Sequence, residues 1–297
     1  MAYFQEALAS ARSEAVRSRV EKASLCAQRA ALSAASMQLV YRDGVCRPNL
    51  AGLDPALLDH YATACQRFGV VMDDEMISTE RYLDSLRRLY AGLQAVVLEN
   101  ELWRVIVLPE SNGKVVEMTY KPTGRNVVRA PRGFNRFRHE EWVRQGPGPA
   151  SDNILAFAAE AEPQRVRLTL TTKDGAQLQR AISLVGDAVR FDTTMTAHTP
   201  RTFDVLVHPE YDTGTMSTDP AVFGIYVKGR GWTKANRGRT GGLTRDQQRA
   251  LTKDALGGGG FAYFNREAGF GVEQRFVPAE FSALGLFWDA SRQQINL

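Results

Sequence analysis

No apolar run in these 297 residues approaches the ~20 that a bilayer-spanning helix needs. The opening residues, MAYFQEALASARSEAV, contain neither the basic stretch nor the apolar core of a secretory signal, and they read as an amphipathic helix from almost the first position. Cysteine is scarce. The three thiols, Cys26, Cys46 and Cys65, are odd in number and match no zinc spacing, which argues against a disulfide framework. Buried or free thiols on helices are the favoured reading, and a Cys26 bond to Cys46 or Cys65 is the alternative in an exported protein. Histidine is equally rare, at four: His60, His139, His198 and His208. HExxH, GxSxG, CxxC and Walker motifs are all missing, so the commonest zincin, hydrolase, redox and nucleotide-binding fingerprints are excluded. The tetraglycine Gly257–Gly260 lacks the following Lys-Ser/Thr of a phosphate cradle and reads as a flexible loop or hinge. No cofactor and no metal is expected.

What is present is ordinary in bulk and uneven in distribution. Hydrophobic residues make up 44% and charged residues 24%, as in a typical globular chain. The formal net charge of +4 is carried beyond residue 95, because residues 1–95 hold eleven basic and eleven acidic side chains. Lys121–Arg144 has seven basic and two acidic residues, and Lys228–Lys253 has eight and one. Both stretches are rich in loop-forming residues, so solvated loops compete with an acidic ligand as their explanation.

Two periodicities divide the chain. Val16, Val20, Ala23, Ala27, Ala30, Ala34 and Met37 step by four and three, the spacing of a helix stripe, and Arg42-Asp43-Gly44 ends the run. Asp54-Pro55 opens a second helix with the stripe Leu57, Tyr61, Cys65 and Phe68, and Gly69 is its C-terminal stop. A third helix is expected from about Ser78, burying Tyr82, Leu86, Leu89, Tyr90 and Leu93. These helices carry too little apolar surface for a self-sufficient domain. From Val96 the pattern turns to period two. Strands are expected at Leu102–Leu108, Lys114–Tyr120, Arg165–Thr172, Gln177–Leu184, Ala188–Ala197, Phe203–His208, Val222–Lys228, Phe261–Asn265, Gly271–Val277 and Ala283–Trp288. Val166, Leu168 and Leu170 should point inward. The fold class is therefore α+β: an all-α segment over residues 1–95, and an antiparallel β-sandwich over residues 96–297.

Two places could carry chemistry. His208-Pro209-Glu210-Tyr211 ends a strand, where an imidazole, a carboxylate and a phenol can converge on a polar ligand. Glu273, flanked by Gly269 and Gly271, offers a second carboxylate on a late strand, and His208 with Glu273 would form an acid–base pair for work on a sugar. Trp142, Tyr211, Tyr226 and Trp232 lie near loops and suit stacking on sugar faces, and Arg230 lies in the second basic stretch. Against these stand structural readings: a histidine bonded to backbone at a turn, an outward carboxylate, aromatics in the core or its rim.

The stretch LENELWRVIVLPESNGKVVEMTYKPTGRNVV, with VHPEY, GFGVEQRF and LGLFWDAS, resembles the galactose-mutarotase-like supersandwich. YFQEALASARSEAVRSRVEKASLCAQRAAL resembles the helices that follow the barrel in bacterial α-glucuronidase-like proteins. The resemblance covers most of the chain and rests on pattern. It implies the C-terminal part of a larger glycosidase-like protein, with residues 1–95 the end of a helical or barrel-associated domain and the sandwich short of its last strand. In aldose mutarotases a histidine protonates the ring oxygen and a glutamate takes the anomeric proton; His208 and Glu273 hold the matching positions. The sequence context of the mutarotase histidines is absent, and a second histidine has no counterpart. The resemblance thus implies a non-catalytic, carbohydrate-associated module that binds sugar or braces a catalytic domain, with a mutarotase-like enzyme as the alternative. The expected ligand residues are Glu210, Tyr211, Arg230, Trp232 and Trp142. The expected partners are a carbohydrate, acidic if the basic stretches take part, and an upstream catalytic domain of the same parent; neither nucleic acid nor a membrane is expected.

Overall fold

A computed structural model describes residues 2–36, 39–49, 54, 56–70, 87–88, 90–111, 113–128, 139–144, 154–172, 175–199, 204–212, 223–227, 231–234, 259–280, 287–289 and 294–296. It is an α+β fold with helices toward the N-terminus and antiparallel sheets after them. The chain separates into two compact units. Unit one comprises residues 1–116, 130–137 and 141–206; unit two comprises 117–129, 138–140 and 207–297.

Unit one opens with helices α1 (Ala2–Ser10) and α2 (Glu14–Ser36). The single helix expected here is broken at residues 11–13, where Ser13 caps α2 by accepting a hydrogen bond from the Val16 N–H at 3.3 Å. Strands β1 (Leu39–Arg42) and β2 (Val45–Pro48) then form a hairpin that periodicity had not suggested. Its two-residue turn, Asp43 and Gly44, has φ of 52° and 82°, the positive pair that a type I′ turn requires. Helix α3 (Leu57–Arg67) follows. Asp54 Oδ1 accepts from the Ala56 N–H at 2.9 Å just before it. At its far end the Gly69 N–H donates to Gln66 O and the Val70 N–H to Cys65 O, the paired bonds of a Schellman stop, with Gly69 at φ 57° as expected. The third expected helix falls almost wholly outside the described residues.

Strands β3 (Leu93–Gln94), β4 (Val96–Glu99) and β5 (Trp103–Leu108) lead to β6 (Lys114–Tyr120), which carries the chain into unit two, where it pairs with β7 (Arg125–Asn126). After β8 (His139–Arg144), unit one is completed by β9 (Ile154–Glu162), β10 (Arg165–Thr172), β11 (Gln177–Val185) and β12 (Ala188–Thr196), an antiparallel meander in the order β12-β11-β10-β9. Val166, Leu168 and Leu170 of β10 are buried, as alternation demands.

The boundary near residue 95 marks a change of secondary structure but not of core. Leu25 and Leu32 of α2, Leu58, Tyr61 and Cys65 of α3, and Ile106, Leu108 and Val116 of the strands all belong to one buried cluster. Helix α3 buries its expected stripe, whereas α2 packs through Leu25 and Leu32 and leaves Val16, Ala23, Ala30 and Ala34 of the expected stripe exposed; the shared cluster is why residues 1–95 and the first strands fall in one unit. The three cysteines are free thiols: Cys46 and Cys65 are buried in this cluster and Cys26 is exposed. Burial pushes the Cys65 thiol above its ordinary range, partly offset by a hydrogen bond with Tyr61 and by Arg29. No described helix is long and apolar enough to cross a membrane.

Gly113, between β5 and β6, sits at φ 67°, and a Cβ there would run into Leu168 Cδ1 of β10. Gly113→Ala should therefore destabilise unit one by about 1–3 kcal/mol through combined overpacking and left-handed strain. Urea unfolding of the variant checks this.

Unit two contains β13 (Asp204–Asp212, from residue 207), β14 (Phe223–Val227), β15 (Gly231–Lys234), β16 (Gly260–Asn265), β17 (Phe270–Arg275), β18 (Phe287–Asp289) and β19 (Gln294–Asn296). One sheet runs β15-β14-β16-β17; in another, β19 lies between β18 and β13. The last described strand is thus hydrogen-bonded on both sides. The tetraglycine also differs from a hinge at its end. Gly259 and Gly260 are buried, and a Cβ on Gly259 would collide with the Phe276 carbonyl. The Phe276 N–H donates to Gly259 O at 2.9 Å, which ties the segment to the end of β17.

Candidate functional site

Alternation splits the β15-β14-β16-β17 sheet into an inward and an outward face. Along β17, Phe270, Val272 and Gln274 are half-buried while Gly271, Glu273 and Arg275 are exposed.

The inward face meets the end of β13. Tyr263 of β16 is buried, and its hydroxyl donates to the Asp212 carbonyl at 2.7 Å. Tyr211 of β13 is buried as well, and its hydroxyl donates to Gln274 Oε1 at 2.9 Å. The two rings lie 6.3 Å apart, and Tyr263 stands edge-on to Phe270 at 6.0 Å. The Arg125 guanidinium covers Phe270 at 3.5 Å and approaches the Asp212 carboxylate at 3.9 Å. Burial raises both phenols well above their ordinary value, and for Tyr263 the neighbouring Tyr211 and Asp212 add to the effect. Each hydroxyl is neutral and committed to an acceptor, so this cluster bolts the two sheets together and is closed to a ligand. Tyr211, expected to bind ligand, belongs here.

The outward face is organised in rows. Trp232 of β15 is opposite Tyr226 of β14, Tyr226 is opposite Ala262 of β16, and Ala262 is opposite Glu273 of β17. Directly opposed residues share a face, so one row crosses all four strands on the side that Glu273 shows to solvent. The adjacent row reads Lys234, Gly224, Phe264 and Gly271. Phe264 is 40% exposed. Glu273 accepts two hydrogen bonds from Arg275, Nε to Oε1 at 2.7 Å and Nη2 to Oε2 at 3.1 Å, a bidentate pair at the edge of the face.

Of the residues singled out in the sequence, the structure brings Trp232, Tyr226 and Glu273 into one row. His208 and Glu210 lie on β13, in a different sheet from Glu273. The proposed acid–base pair therefore does not share a sheet, and the Glu273 carboxylate is engaged by Arg275. Trp142 lies on β8, and Arg230 lies outside the described residues. The side chains of His208, Glu210, Trp142, Tyr226 and Trp232 also lie outside the description. Phe264 was missed; its signal was an aromatic at an outward position of β16, two residues from Ala262. Among the described residues, no group of three or more His, Cys, Asp or Glu is placed to hold a metal ion. No family model, curated protein or solved structure matches the chain.

Proposed function

We propose that this chain is a carbohydrate-associated module that binds sugar without transforming it, through the outward face of the β15-β14-β16-β17 sheet. The observation that carries the reading is the row Trp232–Tyr226–Ala262–Glu273 beside exposed Phe264. A pyranose presents C–H groups on its faces and hydroxyls around its rim. A sheet face with aromatic positions, small residues between them and a carboxylate–guanidinium pair at its edge complements both. The separation of His208 and Glu273 between sheets favours binding over mutarotation.

An acidic sugar suits the face better than a neutral one. Of the basic stretch Lys228–Lys253 the described part is β15, which forms one edge of this sheet. Arginine grips a carboxylate through two parallel hydrogen bonds, and one charge-assisted contact is worth roughly 1.5–3 kcal/mol. In a larger glycosidase-like parent, the partner would be the upstream catalytic domain, braced by the helices.

Calorimetric titration with glucuronate-containing and matched neutral oligosaccharides tests the reading. The expected result is a uronate preference that weakens as salt is raised, and a loss of at least about tenfold, roughly 1.4 kcal/mol, in Trp232→Ala. Absence of binding to either series would overturn it.

A further inference from the structure

We infer that Phe264 is a second stacking position on this face, so that the face takes a linear oligosaccharide lying across the strands rather than a single sugar. The inference rests on the carbohydrate reading above and names the ligand's size and path.

Gly271 shows why the ring is placed to stack. Opposite Phe264 on β17, a Cβ at Gly271 would collide with the Tyr263 carbonyl and come within 3.1 Å of Phe264 Cδ2. The ring thus leans over the glycine backbone, in the space a side chain would fill, and keeps 40% of its surface in water. On its other side Phe264 is opposite Gly224, so glycines flank it in the row on both neighbouring strands. Its two directly opposed residues therefore carry no side chain.

The register gives the length. Trp232 and Phe264 are two strands and two residues apart, which is about 12 Å for a strand spacing of ~4.8 Å and a rise of ~3.4 Å per residue. That span exceeds one pyranose ring and matches a short run of linked rings. Glu273 ends the Trp232 row on the edge strand, one row from Phe264, and its pair with Arg275 lies beside this line, where a carboxylate and a guanidinium meet rim hydroxyls. A protein partner would want a broader continuous apolar surface; here glycines, an alanine, Lys234 and the Glu273–Arg275 pair interrupt it.

The test is chain-length dependence. The full chain and the variants Phe264→Ala and Phe264→Leu are titrated with a glucuronate-containing monosaccharide, disaccharide and longer oligomers. For the unaltered chain, affinity should rise about tenfold or more from monosaccharide to longer oligomer. Both variants should lose that gain. Phe264→Leu still covers Gly271 and should keep the thermal midpoint, which separates stacking from folding. If Phe264→Leu retains the gain, or if affinity does not grow with length, the inference is overturned while the carbohydrate reading stands. If no length binds to any of the three proteins, both fall together.

Discussion

Tyr61→Ala should lower the stability of unit one by about 3–5 kcal/mol, and Leu108→Ala by about 2–5 kcal/mol, in one and the same unfolding transition. Tyr61 lies on α3 and Leu108 on β5; both are fully buried, and both belong to the cluster that also holds Leu25, Leu32, Leu58, Cys65, Ile106 and Val116. Truncating either side chain removes packing shared by helices and strands. Denaturant unfolding followed by circular dichroism for the helices and, in a background with Trp142, Trp232 and Trp288 replaced by phenylalanine, by Trp103 fluorescence for the strands reads the two sides separately. Trp103 is a strand reporter because its indole N–H donates to Asp187 O at 2.8 Å within unit one. With a shared core, each variant moves both signals by the same amount. If residues 1–95 were a domain of their own, Tyr61→Ala would shift only the helical signal and Leu108→Ala only the fluorescence.

That shared core shows where the sequence was legible. Lys114–Tyr120 and Arg165–Thr172 run between the expected residues, and in the second, alternation puts Val166, Leu168 and Leu170 on the buried side. Gly69 was readable as a stop because a left-handed residue after a helix favours glycine. The β1–β2 hairpin was legible in principle, since Asp43-Gly44 between Leu39–Arg42 and Val45–Pro48 has the residues of a type I′ turn. It was lost because the same dipeptide also ends a helix. What periodicity cannot supply is partnership. It gives the side on which a residue lies but not the residue opposite. Trp232, Tyr226 and Glu273 come into one row only through the pairing of β14 with β16, which are separated in the chain by β15 and residues 235–259. Tyr211 shows the converse error. Its place at a strand end beside His208 and Glu210 suggested a ligand, yet its hydroxyl is spent on Gln274 from the facing sheet.

Tyr263 is the residue on which unit two should depend most. Tyr263→Ala should cost about 3–5 kcal/mol by opening a cavity under Tyr211 and Phe270. Tyr263→Phe keeps the ring but removes the donor to the Asp212 carbonyl, a change worth about 1–3 kcal/mol. The same phenols make unit two sensitive to alkali. Burial raises Tyr211 and Tyr263 above the ordinary value of 10.0, so the folded state keeps protons that the unfolded chain releases. Their contribution is complete below about pH 10 and is lost as the pH rises above it, because the unfolded state then binds fewer protons. Absorbance titration should show the buried pair ionising only as unit two unfolds, in a cooperative step. In Tyr263→Phe the amplitude of that step should shrink by one phenolate, and the step should move to lower pH as the lost hydrogen bond weakens the fold. Smooth ionisation of every tyrosine near the ordinary value, with the circular dichroism of the folded state unchanged, would show that the pair is open to water and does not bolt the sheets together.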